Sequence, residues 1–321
     1  MTHPISDSEA IPLPARRDRP VTLLHRLEYG VVLLLMGLFK VMGVDAASWL
    51  AGKFARYFGP LIRPVSRKAE RNLALIYPHW SKSMLRSVTR DVWENTGRTA
   101  GEFPHLAYLR DFENNGRIEM AGKDRLDKMI ASKTPYIIMT SHFANWELTP
   151  SIAHHAGLDY GFVYRPANNP LTDELIIKHR GSVMSRHQVP KGNRGARMLV
   201  DMLQNSRSLG MLVDQKLNTG ISVPFMGVPA MTAPATARLS LKFNAPVVQI
   251  SLLRKKGAHF KFTVHEPLDF TPTGDMDADV AALTALINQA YERDIRANPG
   301  QWLWFHRRWP KEAYSARHAP S

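Results

Sequence analysis

From about residue 115 onward the chain alternates short β-branched or aromatic runs with longer amphipathic stretches, and no other feature restricts its fold so tightly. The runs at 117–120, 136–140, 160–164, 210–213, 247–253 and 260–265 have strand length and content, while 144–156, 171–185, 194–205, 234–243 and 279–297 carry helical periodicity. Such alternation predicts an α/β domain with a mostly parallel central sheet flanked by helices. Only Arg254-Lys255-Lys256-Gly257-Ala258 separates the last two strands, a hairpin-length link, so the sheet is expected to be mixed. The expected organisation is a flexible tail over 1–20, a hydrophobic membrane anchor over 21–52, a basic amphipathic helical region over 53–114, the α/β core over 115–312 and a second tail over 313–321.

The N-terminal third differs in kind. Residues 29–44, YGVVLLLMGLFKVMGV, are apolar around the whole helix circumference, with Lys40 the only charge. As a helix they reach about 24 Å, short of the ~30 Å hydrocarbon core of a bilayer. The segment is therefore expected to anchor the chain, either spanning with the Lys40 ammonium snorkelling outward or lying partly inserted. A buried core helix is the alternative. A cleaved signal peptide fits less well, given the long, acid-containing lead and the weak small-residue site at Ala46 and Ala47. Residues 53–90 then carry nine Lys and Arg against the single acid Glu70, +8 of the chain's net +14. Interleaved aromatic and aliphatic residues make these basic amphipathic helices suited to anionic headgroups, or else solvated helix faces. The overall charge favours an anionic partner. The chain has no Cys, which excludes disulfides, thiolate metal sites and a cysteine nucleophile.

The predicted strand ending at Thr140 runs into Ser141-His142-Phe143-Ala144-Asn145-Trp146-Glu147, which puts an imidazole where open α/β sheets form their ligand crevices. His142 and Glu147 lie about 140° apart on an ideal helix, so they meet only if the turn brings them together. If they meet, Glu147 holds one ring nitrogen and leaves the other as a base toward an alcohol. The spacing is weak by itself: a second match, His154-His155-Ala156-Gly157-Leu158-Asp159, sits at a helix end and is taken as a chance match. A metal cluster of His142, Glu147, His154 and His155 follows no familiar ligand frame, and no metal is expected. Zincin, nucleophile-elbow, P-loop and dinucleotide fingerprints are missing from the sequence. Arg165, stiffened between a strand end and Pro166, suits bracing a phosphate or an oxyanion, and Asp214 could pair with it. The cations Lys178, Arg180, Arg186, Lys191, Arg194 and Arg197 follow with no acid among them, as an anion-receiving run or a solvated face. The aromatic and cationic C-terminus, Gln301 to Trp309, suits a wall over an acyl chain, a membrane-interface belt, or a packed aromatic lid.

SHFANWEL at 141–148, VYRPANNP at 163–170, LVDQK at 212–216, VPFMGVPA and TAPATARLS within 223–240, and WLWFHRRW at 302–309 together resemble the late acyltransferases of lipid A biosynthesis. Their co-linear order covers about residues 20–312. The resemblance implies transfer of a fatty acyl chain from acyl carrier protein to the hydroxyl of a 3-hydroxyacyl chain on a lipid A precursor, at the cytoplasmic face of the inner membrane. It maps His142 and Glu147 onto the family's His-x4-acid dyad and Arg165 and Asp214 onto its accompanying arginine and aspartate. Asn145, Asn168, Asn169, Arg307 and Arg308 within the same blocks are further candidates for substrate contact. Lys216 stands where relatives often carry another acid. Acyl carrier protein, the lipid A precursor and an anionic membrane are the implied partners. No cofactor beyond the acyl-carrier co-substrate and no nucleic-acid partner are expected. A related acyltransferase with another glycolipid or lysophospholipid acceptor, and a non-catalytic protein docking on anionic lipid, are the competing readings.

Overall fold

The computed structural model describes residues 20–316, so the expected N-terminal tail up to residue 19 and residues 317–321 of the C-terminal one lie outside the described residues. Helices α1 (Leu23–Met42), α2 (Val44–Phe58), α3 (Arg63–Ile76), α4 (Lys82–Glu102) and α5 (Leu106–Leu109) come first. There follow β1 (Ile118–Ala121), α6 (Lys123–Ala131), β2 (Ile137–Thr140), α7 (Leu148–His155), β3 (Tyr160–Tyr164), α8 (Pro170–Val183), β4 (Gln188–Pro190), α9 (Asn193–Gln204) and β5 (Ser208–Leu212). The chain then forms β6 (Ile221–Phe225), β7 (Val228–Thr232), α10 (Ala235–Phe243), β8 (Val247–Arg254), β9 (Phe260–Pro267), α11 (Met276–Ala297) and α12 (Lys311–Ala316).

Seven strands make one sheet in the order β1-β9-β8-β2-β5-β3-β4. Every pair is parallel except β8 with β9, the pair joined by the short basic link, so the expected mixed, mostly parallel sheet is what forms. Along β2 the side chains alternate, Ile137 and Met139 entering one apolar cluster and Ile138 the other. Both faces are thus covered, which is why the strands read as continuous apolar runs. Two expectations needed correction. The Pro-rich stretch around Val223, outside all the strand runs named above, forms the antiparallel β6–β7 hairpin. Its turn residues Met226 and Gly227 have φ 56° and 78°, the positive pair that a two-residue primed turn demands. Helix α7 begins at Leu148 instead of Ala144, because Ala144 sits at φ 47° in the left-handed region.

The helical N-terminal region packs through small residues. Ala47 and Ala51 of α2 face Gly97 and Gly101 of α4, where an added Cβ would come within 2.3 Å of the Ala51 carbonyl oxygen and 2.5 Å of that of Ala47. The outward side of the same region is apolar: Leu34 and Val41 of α1 are 72% and 89% exposed, and Phe54, Tyr57, Leu61 and Ile62 are also exposed. Among the described residues no helix is long and apolar enough to cross a membrane. Helix α1 lies against the α/β core, with the Asn169 amide donating to the His25 carbonyl and the Glu28 carboxylate.

A buried polar network joins α2, α4 and the sheet. Glu102, fully buried, takes both terminal nitrogens of Arg254 and also accepts from Ser48 at 2.6 Å and Asn145 at 2.8 Å. Arg254 Nε donates to Asn95, whose own amide donates to the Ala144 carbonyl. Removing one partner strands the other charge without water, so Glu102→Ala should destabilise the protein by about 3–5 kcal/mol. Denaturant unfolding measures this, and a loss under about 1 kcal/mol would show that solvent or another group reaches Arg254.

Candidate active site

Strands β2 and β5 are neighbours with Thr140 opposite Leu212, so the chain positions two residues beyond each strand end, His142 and Asp214, arrive side by side. The His142 ring Nδ1 lies 2.8 Å from Asp214 Oδ1. Asp214 Oδ2 accepts from the His142 backbone N–H at 2.9 Å and from Trp302 Nε1 at 2.7 Å. Because a buried carboxylate takes a proton donor at every lone pair it can, Nδ1 carries the hydrogen and Nε2 is left with its lone pair. The Gln215 amide nitrogen lies 3.3 Å from Nε2 and 3.5 Å from Nδ1, beside the ring and not in line with the Nε2 lone pair. Burial pulls the imidazole toward the neutral form, but the Asp214 charge and hydrogen bond outweigh it, and the net shift is upward. Burial raises the Asp214 carboxyl, and the His142 charge and hydrogen bonds, helped by Trp302, bring it below its ordinary range.

Glu147 lines the same cavity but does not hold the imidazole, contrary to the sequence expectation. It receives Arg180 in a fork, from Nε at 2.9 Å and Nη2 at 2.5 Å. The left-handed Ala144 and the irregular turn after it carry Glu147 away from the ring toward α8. Glu147 still favours the charged imidazole through space, and Arg180 opposes it. Arg180 was legible only as one cation in a basic run; nothing in its local sequence singles it out. Asp214 does not pair with Arg165, since its carboxylate is taken up by His142 and Trp302. Arg165, just past the end of β3, is exposed on the cavity wall and forms no ion pair with the described residues.

The cavity is about 660 Å³ and is lined by His142, Trp146 and Glu147, by apolar residues including Phe162, Val163 and Leu199, and by the cations Arg165, Lys191, Lys216 and Arg307. The backbone N–H groups of His142, Phe143 and Ala144 are already donated, to Asp214, to the Ser141 carbonyl and to the Gln301 carbonyl. These three backbone N–H groups are therefore not free to meet an oxyanion beside His142. Other candidates fall elsewhere. Asn145 is fully buried, bonded to Glu102 and capping α7 at Leu148 N–H. Asn169 caps α8 and ties down α1. Arg308 is 1% exposed, stacked over the Phe225 ring and bonded to Met231 and Thr232 in the core, with burial pushing it down to about 10. Arg307 alone of that arginine pair reaches the cavity, and Asn168 is exposed outside its lining. Trp302, Trp304 and Trp309 are packed in the core, as in the aromatic-lid reading. His155 faces Asp111 and Asp159 takes Arg207, so the second His-x4-acid match is apart from the site. Sequence reasoning missed Trp302 as the third donor to Asp214, Gln215 at the ring and Arg180.

The family model for bacterial lipid A biosynthesis acyltransferases matches residues 18–311. A lipid A biosynthesis acyltransferase of Haemophilus influenzae is 25% identical over 75% of this chain and 76% of its own. The lipid A biosynthesis lauroyltransferase of Escherichia coli is 26% identical over 77% and 80%. A phosphatidylinositol mannoside acyltransferase of Mycobacterium tuberculosis is 23% identical over 83% and 82%.

The site electrostatics predict an NMR titration of the His142 ring above the ordinary value of 6.5. In Asp214→Asn the neutral amide no longer supports the imidazolium while burial still opposes it, so the midpoint should drop below 6.5. An unchanged midpoint would remove Asp214 as the group that sets ring basicity.

Proposed function

The chain belongs to the bacterial lipid A biosynthesis acyltransferases, and from that premise we propose that it moves a fatty acyl chain from acyl carrier protein to the hydroxyl of a 3-hydroxyacyl chain on a lipid A precursor. The observation that carries this reading is the commitment of His142 Nδ1 to buried Asp214, which leaves Nε2 as the uncommitted ring nitrogen of a residue that lines a cavity with apolar and cationic side chains. Nε2 removes the acceptor hydroxyl proton as the oxygen attacks the thioester carbonyl carbon. Charge collects on the carbonyl oxygen, within reach of cavity side chains of which Arg165 is our candidate. As the intermediate collapses, the carbon–sulfur bond breaks, the ester remains, and the imidazolium returns its proton to the departing sulfur. Asp214 fixes the ring tautomer throughout. Glu147 and Arg180 form the second charged pair, holding the turn and adding negative potential beside the imidazolium. The apolar cavity walls keep water from the thioester.

The exposed apolar residues of α1 and α2, bordered by the α3 cations, support docking on an anionic inner membrane from the cytoplasmic side, with the helices lying on or partly in the leaflet. Charge also supports both partners, since acyl carrier protein and lipid A precursors are acidic. The likeness to a phosphatidylinositol mannoside acyltransferase favours one second reading, the same chemistry on a different glycolipid acceptor.

With purified full-length protein, acyl carrier thioester and lipid acceptor, His142→Ala should cut turnover by on the order of 10²–10⁴ and leave vesicle binding intact. Unchanged transfer would remove the base assignment, and a wild-type protein that binds vesicles but transfers nothing would favour a lipid-docking role. In cells, deleting the gene should remove one secondary acyl chain from lipid A by mass spectrometry. Intact lipid A beside an altered second glycolipid would select the other acceptor.

A further inference from the structure

A second cavity, about 770 Å³, opens between α3 and the C-terminal segment that follows Trp304. Its lining includes Arg67, Lys68, Arg71, Arg307 and Lys311 against one carboxylate, Glu70. All five cations are exposed, and none forms an ion pair with an acid among the described residues. Elsewhere on this chain arginines are commonly engaged: Arg56, Arg98, Arg117, Arg180 and Arg254 each hold a carboxylate. Five uncommitted cations facing one hollow create a local potential that a protein tolerates at a cost unless an anion neutralises it.

The walls of the cavity are fixed. Asn72, 1% exposed, donates to the carbonyls of Trp304 and His306 at 2.7 Å each and accepts from the Tyr314 hydroxyl at 2.6 Å. One amide thus clamps α3, the C-terminal segment and α12 together, so the cations are carried on a fixed frame. The frame is shared with the catalytic cavity, because Arg307 lines both and His306 lines the catalytic one. Burial lowers His306, and the charges of His142, Lys68 and Arg165 add to that against the opposing Asp214.

The approach to this cavity is apolar. Arg63, Arg67 and Arg71 stand four apart on one face of α3, a stripe of about 12 Å that starts beside the exposed Leu61 and Ile62. A lipid whose tails lie along that apolar surface would present its polar head to the stripe. The volume suits a phosphorylated sugar better than the broad face of a protein partner.

We propose that the cavity between α3 and the C-terminal segment binds a phosphate group on the head of the glycolipid acceptor while its hydroxyl is held at His142. Arg67 and Arg71 supply forked donors, Lys68 and Lys311 supply charge, and Arg307 links this site to the reacting one. The proposal rests on the acyltransferase reading, and its test separates the two.

Binding of a detergent-solubilised, diphosphorylated glucosamine-disaccharide lipid is measured without acyl donor by isothermal titration, before and after phosphatase treatment. Wild type should lose about tenfold in affinity when the lipid is dephosphorylated. Arg67→Gln with Arg71→Gln should lose about the same for the phosphorylated lipid and nothing for the treated one; both side chains are exposed, and an unchanged melting temperature checks the fold. In turnover, the double variant should raise KM for the phosphorylated acceptor about tenfold with kcat within about twofold and donor KM unchanged. Equal affinity of variant and wild type for the phosphorylated lipid overturns the site. A rise in KM for the acyl carrier donor alone also overturns it, giving the cavity to the donor. Phosphate-dependent binding without any transfer by wild type leaves the site standing and removes the acyltransferase reading.

Discussion

A single buried carboxylate organises the reacting end of this molecule. Asp214 is 1% exposed, and an ionised group at that depth costs several kcal/mol unless its oxygens are met by donors. Three donors meet it, from the His142 ring, the His142 backbone and the Trp302 indole. Two of them belong to the loop after β2 and the third to the C-terminal segment, so satisfying one anion brings together pieces 72 and 88 residues away in sequence. The register of β2 with β5 makes this possible. A shift of one residue would turn one of the two side chains to the opposite face of the sheet.

The loop that carries His142 is held by its backbone on several sides. Ala144 takes a left-handed conformation that an L-residue adopts at a cost, and its carbonyl accepts from Asn95 and Thr99 while its N–H donates to Gln301. Leu303 N–H closes onto the His142 carbonyl. Bending the chain at Ala144 has a chemical consequence. Glu147 is delivered to Arg180 instead of the imidazole, so two acids divide the work that the sequence spacing assigns to one. Asp214 orients the ring, and Glu147 anchors a cation that would otherwise face His142 uncompensated.

Six sheet strands were legible because buried parallel strands carry runs of β-branched and aromatic residues that need no partner to be recognised. The β6–β7 hairpin was not, since Pro224 and Pro229 face each other across it and proline reads as a strand breaker. At the site, His142 and Asp214 were visible as polar residues at strand ends, yet their pairing was not. Pairing depends on which strands are neighbours, and no local pattern records strand order. Arg307 and Arg308 mark the same limit at finer scale: adjacent in sequence, one lines a cavity and the other is buried in the core. Arg180 was hidden by company, as one of six cations in a run where only tertiary contact distinguishes the paired from the free.

The distribution of charge explains why the imidazole needs a buried acid of its own. Ion pairs in the helical region and on the sheet use acids locally, so the net charge of +14 is left on cations without such partners; around the catalytic cavity Arg165, Lys191, Lys216 and Arg307 hold no acid among the described residues. Such a rim attracts anionic substrates from beyond a Debye length of about 8 Å only weakly, and acts mainly once they are close. The same positive potential works against a histidine that must accept a proton, and Arg180 already depresses it. A ring in that field without compensation would be neutral but a poor base. Asp214 lies beneath it, away from solvent and screening ions, where its charge acts on the imidazole at nearly full strength while the substrate, approaching from the cavity, meets cations. Separating the two fields, negative below the ring and positive around the mouth, lets one site both draw in anions and take up a proton.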